Sequence, residues 1–111
     1  MRTAVSVLAI LFGLLHMIAG ATQFKSNDPA ARGSAALMLT GSVLLVGTAV
    51  AHLAYGAPGD WMVALSAAVC GFLPICFAAY LNGKRGGKLN PLHHIIRGIA
   101  AALLVIGFVL W

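Results

Sequence analysis

The chain has 111 residues, of which 61% are hydrophobic and only 8% are charged, and its formal net charge is +5. A soluble domain carries about a quarter of its residues as charged side chains, whereas this chain has seven basic and two acidic ones. The composition therefore excludes an ordinary soluble domain and predicts that lipid surrounds most of the surface. Two cysteines without a paired spacing exclude a disulfide framework or a zinc ribbon.

Four apolar stretches follow one another along the chain, at residues 3–24, 29–55, 61–81 and 91–111. Each is about 20 residues long or slightly longer, enough to cross a hydrocarbon core about 30 Å thick at about 1.5 Å per helical residue. The connections are short, so consecutive helices must be antiparallel neighbours. We therefore predict an all-α polytopic membrane protein in which residues 1–111 form one domain, an antiparallel up-down bundle of four transmembrane helices.

The breaks between these stretches carry residues that start and stop helices. Capping residues before prolines predict the starts of helices 2 and 4, and a glycine predicts a left-handed end of helix 2. A Pro-Gly-Asp turn predicts the start of helix 3, and an Asn-Gly pair predicts its end. Helices 2 and 4 start at Asp28-Pro29 and Asn90-Pro91, and helix 2 ends at Gly56. Helix 3 starts after residues 58–60 and ends at Asn82-Gly83. Within helix 3, Pro74 removes a backbone hydrogen bond and predicts a kink.

The basic residues lie mainly on one side of the predicted membrane. Loops 1 and 3 and their flanks hold Lys25, Arg32, Lys84, Arg85 and Lys88, whereas the opposite side holds Arg2. This asymmetry predicts that loops 1 and 3 lie in the cytoplasm and both termini outside. We expect a multi-pass protein of a cell membrane, namely a bacterial inner membrane. We expect Lys84, Arg85 and Lys88 to contact anionic lipid headgroups, and we expect no nucleic-acid partner.

Three polar residues inside the apolar stretches, His16, His94 and Arg97, are the candidate ligand-binding residues. His16 lies about 12 Å and Arg97 about 9 Å from the predicted cytoplasmic end of their helices. His94 and Arg97 are three residues apart and share a helix face. Together they predict an electropositive pocket for an anion or a quinone carbonyl. The alternative is that Arg97 extends to the headgroups and His16 bonds to a neighbouring helix.

Other chemistry finds little support in the sequence. His16 and His52 are about 14 Å apart along the membrane normal, too far to share one haem or metal ion. No metal site, catalytic residue or cofactor is predicted, although contact with haem or quinone stays open as an alternative. Size and helix count resemble the small multidrug resistance family, but that family relies on a glutamate in its first helix. Helix 1 here has none, because Asp28 and Asp60 both stand at helix starts.

Glycines on the faces of helices 1 and 2 predict close helix packing. Small residues let membrane helices approach one another closely. The candidate packing residues are Gly13, Gly20, Gly41 and Gly47. A bundle packed in this way leaves little room for a pore in one chain, so any transport path would lie between copies.

The first half of the chain resembles DoxX-like four-helix membrane proteins. The resemblance rests on residues 11–24, LFGLLHMIAGATQF, and on residues 39–47, LTGSVLLVG. It implies a membrane component of an oxidoreductase system near quinone, and it carries over no catalytic residue.

Three functions remain open at this point. We favour a non-enzymatic accessory subunit that packs against other membrane proteins, because the loops are minimal and no catalytic constellation is evident. The first alternative is a homo-oligomeric transporter or channel for a small solute or anion, which would use His16 and Arg97. The second alternative is a DoxX-like component of a membrane redox system.

Overall fold

A computed structural model describes residues 1–56 and 60–111. They form four long helices, α1 (Arg2–Phe24), α2 (Pro29–Tyr55), α3 (Trp61–Arg85) and α4 (Pro91–Leu110). Each is long and apolar enough to cross a membrane, and the four pack antiparallel. The all-α prediction is confirmed, and the chain is a small four-span helical membrane protein.

The two ends of the bundle differ in charge. The turns at residues 25–28 and 86–90, with the basic residues beside them, lie at one end, which we call the basic end. Both chain termini, the end of α2 and the start of α3 lie at the other, which we call the terminal end. The charge asymmetry of the sequence is therefore also an asymmetry of the fold.

The predicted helix starts are present. The side chains of Asp28 and Asn90 accept hydrogen bonds from backbone N–H groups two and three residues further on, at 3.0 and 3.3 Å. Asp60 accepts from the N–H of Val63 at 3.3 Å. Each cap satisfies a backbone donor that has no partner within its own helix. The remainder of the predicted turn before Asp60 lies outside the described residues.

The end of α2 differs from the prediction. Gly56 has an extended conformation, with φ −62° and ψ 142°, rather than a left-handed one. Its N–H donates to the carbonyl of His52 at 2.9 Å, and its own carbonyl accepts from the guanidinium of Arg2. The last turn of α2 is therefore closed by a contact with α1, and a left-handed glycine is not needed there.

The predicted end of α3 at residues 82–83 was wrong, because the helix continues to Arg85. The side chain of Asn82 bonds to two neighbouring helices, so it does not compete for its own backbone as an asparagine at a helix end does. The left-handed glycine lies further on, at Gly87, with φ 63°. Part of the predicted basic loop 3 is therefore helix.

The irregularity predicted at Pro74 takes the form of a π-helical segment. Residues Ala67–Phe72 are π-helical, and the N–H of Leu73 bonds to the carbonyl of Ala68, five residues back. In a regular α-helix the ring of Pro74 would clash with the carbonyl of Cys70. The wider turn moves that carbonyl away from the ring, which is a common way for a helix to accommodate a proline.

The predicted packing glycines fall into two groups. A methyl group built on Gly13, Gly20 or Gly41 would lie 2.7, 2.9 or 2.9 Å from an atom of a neighbouring helix. These three glycines therefore stand where helices approach most closely. Gly47 instead is exposed, and no described atom lies within 4 Å of a methyl group built there. Gly47 therefore lies on the outward side of α2 and not at a close approach between described helices.

Helix α4 is attached to the bundle mainly at the terminal end. There Phe108 is fully buried against His52 of α2, and Gly107 packs on Val5 of α1. Only 17% of the most apolar stretch of α4 is buried within the chain, compared with 39% of the corresponding stretch of α2. Helix α4 contacts the second half of α3, residues 73–85, less than it contacts the first turns of α3, residues 61–66. This attachment leaves a cleft at the basic end.

A basic cleft as the candidate functional site

The cleft has a volume of about 320 Å³, and all four helices contribute to its lining. The side chains in it that can carry positive charge are His16, Lys88, His93, His94 and Arg97. The predicted residues His16, His94 and Arg97 thus lie around one cavity. No carboxylate belongs to its lining in the part of the chain that the structure describes. The cleft is therefore electropositive.

Arg97 is held in the cleft by a neighbour on its own helix. One guanidinium nitrogen, Nη2, donates to Nε2 of His93 at 2.7 Å. A second guanidinium nitrogen, Nη1, is shielded from solvent and has no hydrogen-bond partner among residues 1–56 and 60–111. A buried donor on a charged group is costly to leave unpaired. The geometry therefore leaves one cationic donor that calls for an acceptor.

His16 is oriented by its own helix. Its Nδ1 lies 2.8 Å from the carbonyl of Phe12, and its ring stacks on the Phe12 ring with centroids 4.3 Å apart. The hydrogen bond of Nδ1 thus lies within α1, whereas the alternative for His16 was a bond to a neighbouring helix. Since a carbonyl only accepts, Nδ1 carries a proton, and Nε2 of the neutral ring remains an acceptor. On protonation of the ring, Nε2 becomes a second donor near Arg97.

The other two histidines complete the α4 wall. The ring of His94 lies edge-on to Tyr80 of α3, with centroids 6.3 Å apart, and to His93 at 6.1 Å. His93 was not predicted as a site residue, although it makes the hydrogen bond to Arg97. The signal for it was the spacing of four residues from Arg97, which places the two side chains one turn apart on the same face.

A polar cluster joins the other three helices beside the cleft. Asn82 of α3 donates to Oε1 of Gln23 of α1 and accepts from Oγ of Ser34 of α2, both at 2.6 Å. Arg85 donates to Ser34 at 3.1 Å and to Asn82 at 3.3 Å. We call these four residues the polar clamp. It joins α1, α2 and α3 to one another at the basic end and includes no residue of α4.

Replacing Asn82 with leucine is expected to lower the free energy of unfolding by about 1–2 kcal/mol, because Gln23 and Ser34 would each lose a partner. Unfolding in mixed micelles with increasing SDS, followed by circular dichroism, measures the change. Asn27→Leu is the matched control, since Asn27 is exposed and we expect a change below about 0.5 kcal/mol there. Equal losses in the two variants would contradict a role for the clamp.

The fourth histidine lies at the terminal end, away from the cleft. His52 is fully buried, and its Nδ1 lies 3.0 Å from Oγ of Ser6. Its ring meets the Phe108 ring edge-on at 4.9 Å. Among the described residues, no three His, Cys, Asp or Glu side chains come together to hold a metal ion. His52 thus belongs to the packing of α4 and not to the cleft.

Comparisons with protein-family models, with curated proteins and with solved structures gave no match to this chain. The resemblance of residues 11–24 and 39–47 to DoxX-like proteins therefore stays a prediction. The fold and the presence of the cleft rest on the structure and not on any resemblance. The chain is a four-span helical membrane protein in contact with the bilayer, with a cleft lined by cationic and imidazole side chains at its basic end.

Proposed function

We propose that this protein binds a small anionic group, such as a phosphate, in the basic cleft. The observation that carries the proposal is the shielded, unpaired Nη1 of Arg97 in a lining that includes no carboxylate among the described residues. An anion there would accept the bond that the guanidinium lacks, and a charged hydrogen bond is about twice as strong as a neutral one.

The surroundings of Arg97 favour recognition of an anion within the protein over simple extension towards headgroups. The bond to His93 holds the guanidinium in place, which reduces the entropy lost when a ligand binds. Lys88 lines the same cavity and adds positive potential. Because the cleft lies partly within the apolar helices, these charges are screened less than they would be in water.

Binding within a single chain is better supported than conduction through it. Between the cleft and the terminal end the centre of the bundle is filled by Phe108, Leu45 and His52, all fully buried. An anion in the cleft therefore meets a packed core beyond His16. A homo-oligomeric transporter would need a path between copies, and that alternative stays a prediction.

Replacing Arg97 with glutamine tests the proposal. In purified protein in a neutral mild detergent, isothermal titration with inorganic phosphate should show affinity weakened about tenfold or more, since bonds to a charged group contribute about 1.5–3 kcal/mol. Arg32→Gln removes the same charge at the same end of the bundle, but Arg32 is exposed, lies against Phe24 and does not line the cleft. We expect it to change phosphate affinity less than twofold, at constant ionic strength.

Two results would contradict the proposal. The first is that the native chain fails to bind phosphate. The second is that Arg97→Gln and Arg32→Gln weaken phosphate binding equally, because net charge rather than the cleft would then account for the effect.

Two further predictions, the accessory-subunit role and the orientation in the membrane, are compatible with anion binding. An accessory-subunit role finds support in the surface of α4, because only 17% of its most apolar stretch is buried within the chain. A cytoplasmic basic end finds support in the clustering of lysine and arginine there. In that orientation the cleft would face the cytoplasm, where soluble phosphate compounds and anionic lipid headgroups are both present.

A further inference from the structure

A second, apolar cavity lies between α1 and α4, nearer the middle of the bundle. It is a groove of about 300 Å³ lined by Leu8, Phe12, Ala100, Leu103 and Leu104. Leu8 and Leu103 are 56% and 63% exposed, so the groove is open towards the lipid on its outer side. Its walls offer dispersion contacts but no polar group that would hold a ligand by itself.

The groove lies next to the basic cleft along the same two helices, although the two cavities share no lining residue. On α1, Phe12 of the groove stacks on His16 of the cleft. On α4, Ala100 and Leu104 follow Arg97 by three and seven residues and therefore share its helix face. From His16 in the cleft to Leu8 in the groove is about 12 Å along the axis of α1. It is polar at the basic end and apolar towards the middle of the membrane.

We propose that the anion bound in the cleft is the headgroup of an anionic phospholipid, with one acyl chain lying in the groove between α1 and α4. This inference rests on the proposed anion binding. A free anion would use the cleft alone, whereas an amphiphile matches both parts and their order along the membrane normal. Because an acyl chain is already in apolar surroundings in the bilayer, the groove adds fit and orientation rather than hydrophobic gain.

The lipid enters the site from the side. The groove opens to the bilayer along α4, which is the least buried of the four helices, so a phospholipid reaches it without leaving its leaflet. The headgroup then meets Arg97 and His16 at depths of about 9 and 12 Å from the basic ends of their helices. The lipid would hold α4 against α1 where the protein itself has few contacts.

Filling the groove separates lipid binding from anion binding. Ala100→Phe places a ring in the groove and leaves the cleft residues unchanged, and Ala100→Leu is a milder version of the same change. Ala102→Phe is the matched control, because Ala102 is exposed and does not line the groove. Native mass spectrometry in a mild detergent measures the bound fraction of phosphatidylglycerol and of phosphatidylcholine, and isothermal titration measures inorganic phosphate.

The native chain should retain phosphatidylglycerol in preference to phosphatidylcholine. Ala100→Phe should reduce phosphatidylglycerol binding about fivefold, because the acyl chain of the lipid would lose dispersion contacts in the groove. Ala100→Leu should reduce this binding less. Phosphate affinity should be unchanged in both, and Ala102→Phe should resemble the native chain throughout. Arg97→Gln should weaken the binding of lipid and of phosphate together.

The inference is overturned if the native chain shows no preference for phosphatidylglycerol, or if Ala100→Phe affects lipid no more than Ala102→Phe does. In either case phosphate binding that depends on Arg97 would leave the proposed function intact and identify a free anion as the ligand. A native chain that binds neither phosphate nor phosphatidylglycerol would overturn both proposals.

Discussion

Replacing Phe108 with alanine is expected to lower the free energy of unfolding by about 3 kcal/mol, as is typical when a large aromatic side chain is removed from a packed interior. Phe108 is fully buried, and its ring meets the edge of the His52 ring at 4.9 Å. Alanine would leave a cavity between α4 and α2, where neighbouring side chains are already packed. It would also remove the aromatic contact on the His52 ring, which adds about 0.5–1.5 kcal/mol to packing.

The measurement is unfolding in mixed micelles with SDS, with Phe77→Ala as the matched control. Phe77 is also a phenylalanine in a transmembrane helix, but its side chain is 52% exposed and faces outward. Lipid or detergent fills the space that it leaves, so we expect a loss below about 1 kcal/mol. If the two alanine variants were equally stable, Phe108 would not be the residue that fixes α4 to the bundle.

Replacing Gly41 with alanine should destabilise the bundle by about 2 kcal/mol, the usual range for an overpacked interior being about 1–3 kcal/mol. The added methyl group would lie 2.9 Å from the carbonyl oxygen of Gly71 and 3.0 Å from Cβ of Pro74. Both are parts of α3 that cannot rotate out of the way. The helices would have to separate at the point where α3 is π-helical.

Gly47→Ala is the control for this effect, because it makes the same change on the same helix. Gly47 is exposed, and no described atom lies within 4 Å of the added methyl group. Alanine has the higher helix propensity by about 1 kcal/mol, so Gly47→Ala should be neutral or slightly stabilising. A loss in Gly47→Ala comparable with that in Gly41→Ala would contradict the distinction between the two faces of α2.

The number of the helices and the positions at which they start could be read from the sequence, because both depend on local properties. Apolar length gives the four spans, and the caps at Asp28, Asp60 and Asn90 need only residues two or three positions away. The end of α3 could not be read in this way. Asn82 has the same local signal as a helix-ending asparagine, but its side chain is satisfied by α1 and α2, which a local pattern cannot include.

The candidate site was predictable to the extent that depth and helix face determine it. Counting residues from the helix ends placed His16 and Arg97 at similar depths, and the structure puts both around one cleft with His94. The bond from Arg97 to His93 could also have been found from their spacing. The polar clamp depends on how α1, α2 and α3 are rotated about their axes, and the apolar groove depends on where α4 diverges from α1. Neither follows from periodicity within one helix.

Because α4 is attached to the bundle mainly at Phe108, a tilt of the helix about this residue would move its other end. From Phe108 to Arg97 is eleven residues, or about 16 Å, so a tilt of about 10° about Phe108 moves Arg97 by about 3 Å. A shift of that size opens or closes the distance between Arg97 on α4 and His16 on α1. In the proposed binding, packing at the terminal end would affect the width of the cleft at the basic end, and a ligand that contacts both α1 and α4 would in turn affect that packing.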